Sequence, residues 1–398
     1  MKTQIEGLSI KDITKNLSLP EKLLLARPII YFVFSRRRDI EAAATIDFSA
    51  FIFIIYSIII LYVGKKSLIS SESGLGIRII KNTPISIFIT YMLLGLISMF
   101  WSVNPLLTFF RVFECFAYLI IIVAVIQNIF KYSSIKYVMI WSLLYCIWEI
   151  IWSVIPTILW TTNINFIIES NQYITTSFFF IALYFIPLKW YNYLIIIMSI
   201  LSMSTVAYIG MGIGLISAFW ANIRVKSLAY LGGFILVLAC IIIGPYSILK
   251  NTIFFDKQEI SLKETTGRNF LLEVSLESIK ENPFGLGFSA GEPYAFKMKK
   301  VAAISAHNSV LSAGLGMGYL GIFLLILFLI SMGLISFSQY IPENYKAMAI
   351  GSYFVSLLHC IGNPSVGTRV FGAWIPGMYI FVLICALYVY GKYYEPID

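Results

Sequence analysis

An all-α, polytopic integral membrane helix bundle of about 11–12 transmembrane helices is the fold class this sequence predicts, on two observations. Apolar residues fill 59% of the 398 positions and charged residues only 12%, against usual shares of about 45–50% and about 25% in globular chains. The apolar residues also gather in runs near the ~20 residues a helix needs to cross a bilayer. A soluble domain of this length would lack the charge to cover its surface, whereas a bundle facing lipid needs none along its hydrocarbon belt. The chain reads as a single membrane domain, 1–398, with one long external loop at 250–304 that contains a short amphipathic helix.

The first twenty residues, MKTQIEGLSIKDITKNLSLP, are polar and lysine-bearing and lack the pattern of a cleavable signal. Leu23 to Ser35 is apolar but short, contains Pro28 and is followed by Arg36, Arg37 and Arg38. It reads as an atypical span or as an interfacial helix, with the span favoured. Spans follow at roughly 48–64, 83–101, 106–130, 135–156, 172–188, 205–221, 227–249, 309–337, 346–362 and 371–390, and a shorter one at about 190–204 is needed for consistent orientation.

Lys65, Lys66, Arg78, Lys81, Lys131, Lys136, Lys189, Arg224 and Lys226 then share one side, which the positive-inside bias makes the cytoplasm. The net charge of +9 is spread in short clusters beside apolar runs. It therefore reads as orientation, with anionic membrane lipid as a secondary partner, and not as a nucleic-acid surface. Cys115, Cys146, Cys240, Cys360 and Cys385 lie in apolar runs without metal-ligand spacing and read as packing residues.

The loop carries the polar signal. Thr265 or Thr266 can cap a helix that Asn282 and Pro283 end, with Leu272, Leu276 and Ile279 expected on one face. Arg268 falls in its opening turn, where free backbone amides and a guanidinium suit a phosphate group. Phe284 to Gly291 is glycine-rich and predicts a tight turn or a close backbone approach. His307 and Asn308 then enter an apolar run. If that run is helical from its start, His307, Leu311, Gly314, Gly318, Gly321 and Leu325 follow one another at three- and four-residue steps, and the histidine crowns a smooth face. The bland reading of His307 is an interfacial residue that caps its helix.

The order TTGR, amphipathic helix, NPFGLGF, then HN with Gly318 and Gly321 resembles the bacterial O-antigen ligase and O-antigen polymerase superfamily, and SVNPLLTFFR, Ser102 to Arg111, is also similar to it. The sharp motifs lie in the last third of the chain. The resemblance implies a multi-span glycosyltransferase of the inner membrane, working on its periplasmic side in O-antigen, lipopolysaccharide or other surface-polysaccharide assembly. A polyprenyl-diphosphate-linked glycan would be the donor, and a glycan or lipid-core sugar the acceptor. His307 would be the catalytic general base on an acceptor hydroxyl, with Asn308, Gly318, Gly321 and Gly267 as supporting motif positions, and Arg268 would hold the donor diphosphate. The donor already bears a leaving group, so a base and a cationic clamp suffice; no cofactor or metal is demanded, and direct displacement inverts the anomeric centre. Ligases of the family commonly carry a further arginine after a small-residue stretch in a middle span; here Leu201 to Gly210 has Thr205 and no arginine. That departure favours polymerase over ligase.

Other charged residues have two readings each. Arg111 and Glu114, three residues apart within a span, either neutralise each other or leave Arg111 as a further diphosphate contact. Arg369, external and next to the last span, is an interfacial anchor or a third diphosphate-binding cation. Glu149 and His359 read as polar contacts within the bundle, and Trp160 and Tyr173 as aromatic residues beside an external loop. A transporter or flippase of lipid-linked saccharides is the alternative function. It requires charges along the full membrane thickness, whereas the informative polar residues here gather at one face.

Overall fold

The computed structural model describes residues 17–34, 48–71, 73–132, 135–160, 174–184, 190–200, 205–221, 268–301, 303, 305–362, 366 and 374–394. Its helices are α1 (Leu19–Phe34), α2 (Phe48–Ser70), α3 (Leu75–Ile80), α4 (Thr83–Ile97), α5 (Pro105–Tyr132), α6 (Ile135–Trp160), α7 (Phe179–Tyr184), α8 (Trp190–Ile200), α9 (Thr205–Ala221), α10 (Arg268–Glu281), α11 (Gly291–Met298), α12 (Ser309–Ser336), α13 (Glu343–Gly362) and α14 (Trp374–Tyr393). The fold is an all-α membrane bundle, without strands among the described residues. Helical segments long and apolar enough to cross a bilayer are Phe51–Ser70, Thr83–Phe100, Pro105–Phe130, Ser309–Ser336 and Trp374–Tyr393. The run expected at 227–249 lies outside the described residues.

Helix α14 is the axis of the bundle. Nearly every side chain along it is buried, and it touches α3, α4, α5, α12 and α13. Tyr379 on α14 stacks against Trp141 and Tyr145 of α6 and shares a 2.8 Å hydrogen bond with Ser142. Elsewhere glycine lets helix backbones close up, as small residues do between helices in lipid. A Cβ at Gly210 of α9 would lie 3.2 Å from Val355 Cα of α13, and one at Gly64 of α2 would press on the Ile120 backbone of α5.

Helix α1 packs into the bundle against α2, α5 and α6, with Leu24 fully buried. Its Arg27 pairs with Glu149 of α6 at 3.2 Å, and Glu149 also accepts a 2.6 Å bond from Tyr145 Oη. Glu149 lies well inside α6, as a polar contact within the bundle. His359 shares a 3.0 Å hydrogen bond with Thr176, wholly inside the bundle. Cys115, Cys146, Cys360 and Cys385 are buried free thiols.

Several basic residues mark the end of the bundle at which α4 begins. Arg78 lies over the rings of Tyr393 and Tyr394, and Lys392 over Tyr340 and Tyr388. The other end of α4 meets the long loop.

Candidate functional site

The site is built where a membrane helix breaks. Gly318 sits inside α12 with φ 65° and ψ −156°, a backbone state open to glycine and closed to other residues at ordinary cost. The break frees carbonyls of the preceding turn, and the glycine-rich segment takes them: Leu286 N–H donates to Leu315 O at 2.9 Å and Gly287 N–H to Gly316 O at 2.8 Å. In return Tyr319 N–H, just past the break, donates to Pro283 O at 3.1 Å. Backbone groups that would otherwise stand unpaired at the break are thereby satisfied.

Contact this close requires glycine on both sides. A Cβ at Gly318 would run into Pro283 O, one at Gly285 into the Gly316 carbonyl group, and one at Gly291 into Leu315 O. Gly285 and Gly287 also have positive φ, 75° and 104°. Gly321, across the break, lies against Ala313 O and Met317. Of the glycines expected to form one smooth face, Gly318 instead interlocks with a loop and interrupts the helical steps that such a face needs, while Gly314 lies against Ile279 and Ile322.

The turn between α4 and α5 completes the junction. Ser98 Oγ donates to Gly95 O at 2.7 Å and accepts from Phe288 N at 3.0 Å. Val103 N–H donates to Leu286 O at 3.0 Å, Trp101 Nε1 to Phe284 O at 3.1 Å, and Thr108 Oγ1 to Phe288 O at 3.1 Å. The Phe288 ring is buried edge-on to Tyr91. The two separate stretches that carry the family resemblance, SVNP and NPFGLGF, thus touch each other.

Above this junction α10 and α11 form a small cap on α12 around Leu271, Val274, Ile279, Ala295, Phe296, Ala306, Leu311 and Leu315. The expected apolar face of α10 is corrected here: Ile279 is buried, but Leu272 and Leu276 are exposed, and Leu271 and Val274 take the inner positions. The amphipathic helix packs on one stripe and leaves a second apolar ridge outside. Lys299, past the end of α11, bridges to Glu281 at 2.7 Å and Glu277 at 3.3 Å of α10. Those carboxylates, Glu281 first through its hydrogen bond, hold the lysine above its ordinary pKa.

His307 stands at the junction of this cap with α12. It is exposed while its neighbours Ser305, Ala306 and Ser309 are buried, and its φ is 51°. Left-handed backbone is uncommon for a residue with a side chain and points to a constrained position. His307 precedes the helix instead of entering it. Asn308 is the cap: its Oδ1 accepts from Val310 N at 2.8 Å and Leu311 N at 3.1 Å, which satisfies amides of the first turn. Two elements hold the turn. Glu292 Oε1 accepts from Ala306 N at 2.6 Å, Ser305 Oγ at 3.1 Å and Ser312 Oγ at 2.6 Å. From the last inter-span turn, the buried Val366 donates its N–H to Ser309 Oγ at 3.3 Å.

Of the remaining expected site residues, Arg268 opens α10 and is described as backbone only. Gly267 and Arg369 lie outside the described residues, as do Thr265 and Thr266. Arg111, one turn along α5 from Thr108, pairs with Glu114 at 2.7 Å and lies over the Phe110 ring. It is part of an ion pair, with about a third of its side chain exposed. Glu292 was missed from the sequence, where an acidic residue in the first turn of a short helix is unremarked; its burial gives it meaning.

Fold and site together define an all-helical, multi-pass membrane protein with an outward-held histidine turn at one end of its bundle. Residues 190–326, about a third of the chain, match the family model described as O-antigen ligase. That match supports the resemblance of the chain to the O-antigen ligase and polymerase superfamily. That family implies a glycosyltransferase-like enzyme of the ligase or polymerase type in polysaccharide assembly. The matched stretch runs from α8 through the glycine interlock and most of α12. A comparison with curated proteins gave no match.

Proposed function

We propose that this chain is a membrane glycosyltransferase that moves a polyprenyl-diphosphate-linked glycan onto an acceptor sugar hydroxyl, at the periplasmic face of the bacterial inner membrane. The observation that carries this reading is His307: an exposed imidazole on a left-handed turn between buried neighbours, tied by hydrogen bonds on both sides. A side chain held out in this way suits a base that must meet a substrate hydroxyl.

In the proposed step His307 takes the acceptor's O–H proton as that oxygen attacks the anomeric carbon. The bond from this carbon to the diphosphate oxygen breaks, and the diphosphate leaves with the electron pair. Arg268 stabilises the departing charge, at the end of α10 where first-turn amides lie. Displacement in one step inverts the anomeric centre, and the leaving group is good enough that no metal is required. Arg369 and Arg111 are proposed as further diphosphate contacts; Arg111 enters with part of its charge already met by Glu114.

The acceptor is a lipid-core sugar in a ligase or a second lipid-linked repeat unit in a polymerase. The missing arginine in Leu201 to Gly210 favours the polymerase. Glycan analysis of a deletion strain tests this: core lipid capped with one repeat unit marks a lost polymerase, and accumulated lipid-linked polymer with bare core a lost ligase. Unchanged glycans would overturn the reading.

A further inference from the structure

Glu292 lies outside the proposed chemistry. Its side chain is buried, the residue being 2% exposed, and it lies on α11, an element to which sequence reasoning assigned nothing. One oxygen, Oε1, receives a backbone N–H from Ala306, a hydroxyl from Ser305 and a hydroxyl from Ser312. Ser305 Oγ in turn accepts from the N–H of His307 at 3.2 Å. The donors therefore flank His307: two positions before it, one position before it, and one helical turn into α12 after it.

We propose that Glu292 is a positioning residue for His307, which fixes the left-handed turn that presents the imidazole to the acceptor. The inference rests on the reading of His307 as the base. A left-handed residue with a side chain persists only where its surroundings over-determine it. Here the constraint converges on one atom. Hydrogen bonds to an ionised group are about twice as strong as neutral ones, and a carboxylate offers the lone pairs to collect several of them. Glu292 transfers no proton in this scheme. It sets where the proton acceptor stands, and misplacement of a reacting group by about 1 Å costs about 100-fold in rate.

The test uses the full chain in lipid nanodiscs, with donor lipid extracted from cells that lack the chain and an acceptor from the same cells. Glu292→Ala should lower kcat about 100-fold with KM for the donor lipid unchanged, and Glu292→Gln, which keeps an oxygen at the same place, should restore most of the loss. If Glu292→Ala does not accumulate, Ser312→Ala removes one of the three bonds and should show the same kcat-selective loss to a smaller degree. A wild-type kcat in folded Glu292→Ala, a loss shared equally with KM, or no rescue by Gln would overturn the proposal. His307→Ala is measured alongside: if it retains transfer, the reading of the base has failed, whereas a dead His307→Ala beside a fully active Glu292→Ala sinks only the positioning role.

Discussion

Among the described residues, the polar centres around Arg27 and around Glu292 are assembled on opposite terms. Around Arg27, Glu149 and Tyr145 the charges meet each other inside the bundle, with Arg27 and Glu149 each less than a tenth exposed. Around Glu292 and His307 the buried carboxylate binds amide and hydroxyl donors, and the imidazole two residues along from Ser305 is left facing out. A charge that meets its counter-charge inside a membrane protein ties helices together. One whose bonds go to an amide and two hydroxyls around an exposed imidazole holds a turn in place. On the proposed reading of His307, that difference separates fold from chemistry.

Four substitutions break or sharpen that contrast. His307→Ala has the largest expected effect: glycan transfer is abolished while the protein reaches the membrane in normal amount, read as polymer on a gel beside an immunoblot. Glu149→Ala should do the reverse. It leaves Arg27 buried without its carboxylate, a change that costs about 3–5 kcal/mol, so abundance and thermal stability in detergent fall while transfer per folded molecule holds. Equal loss of transfer per folded molecule in both variants would erase the distinction.

Gly318→Ala comes next, since its Cβ meets Pro283 O and its backbone is left-handed. About 1–3 kcal/mol for the backbone and about 1–3 kcal/mol for overpacking should appear as a lower melting temperature together with reduced transfer. Asn308→Ala is the mildest. Loss of the cap on α12 costs about 1 kcal/mol, seen as a small drop in melting temperature, and a large loss of transfer would show that Asn308 does more than cap.

The spans were legible because long apolar runs and lysine-flanked turns are one-dimensional signals. Hydropathy found α2, α4, α5, α12 and α14 at close to their observed places. In the loop, the helix that starts at Arg268 and stops before Asn282 and Pro283 was readable from its end signals. Which of its leucines face inward was not, since Leu271 and Leu272 are both apolar and only tertiary packing chooses between them. Gly318 shows the same limit. Spacing cannot tell a glycine that permits close helix packing from one that permits left-handed backbone, and the motif positions Gly318 and Gly321 fit both until the loop's partners are known. Glu292 and the Arg27–Glu149 pair escaped because their meaning depends on groups far away in the chain.

The glycine interlock also has a consequence for the order of assembly. As the chain is synthesised, Leu286 and Gly287 emerge before the carbonyls that take their amides, because Leu315 and Gly316 belong to the next span. Those two amides gain their carbonyl partners only once that span has formed with its break at Gly318. The histidine turn, the cap of α10 and α11, and the link from Val366 can close only after this, so the site is a late product of membrane insertion. A chain that stops short of α12 would keep its earlier spans and have no place for His307 to stand.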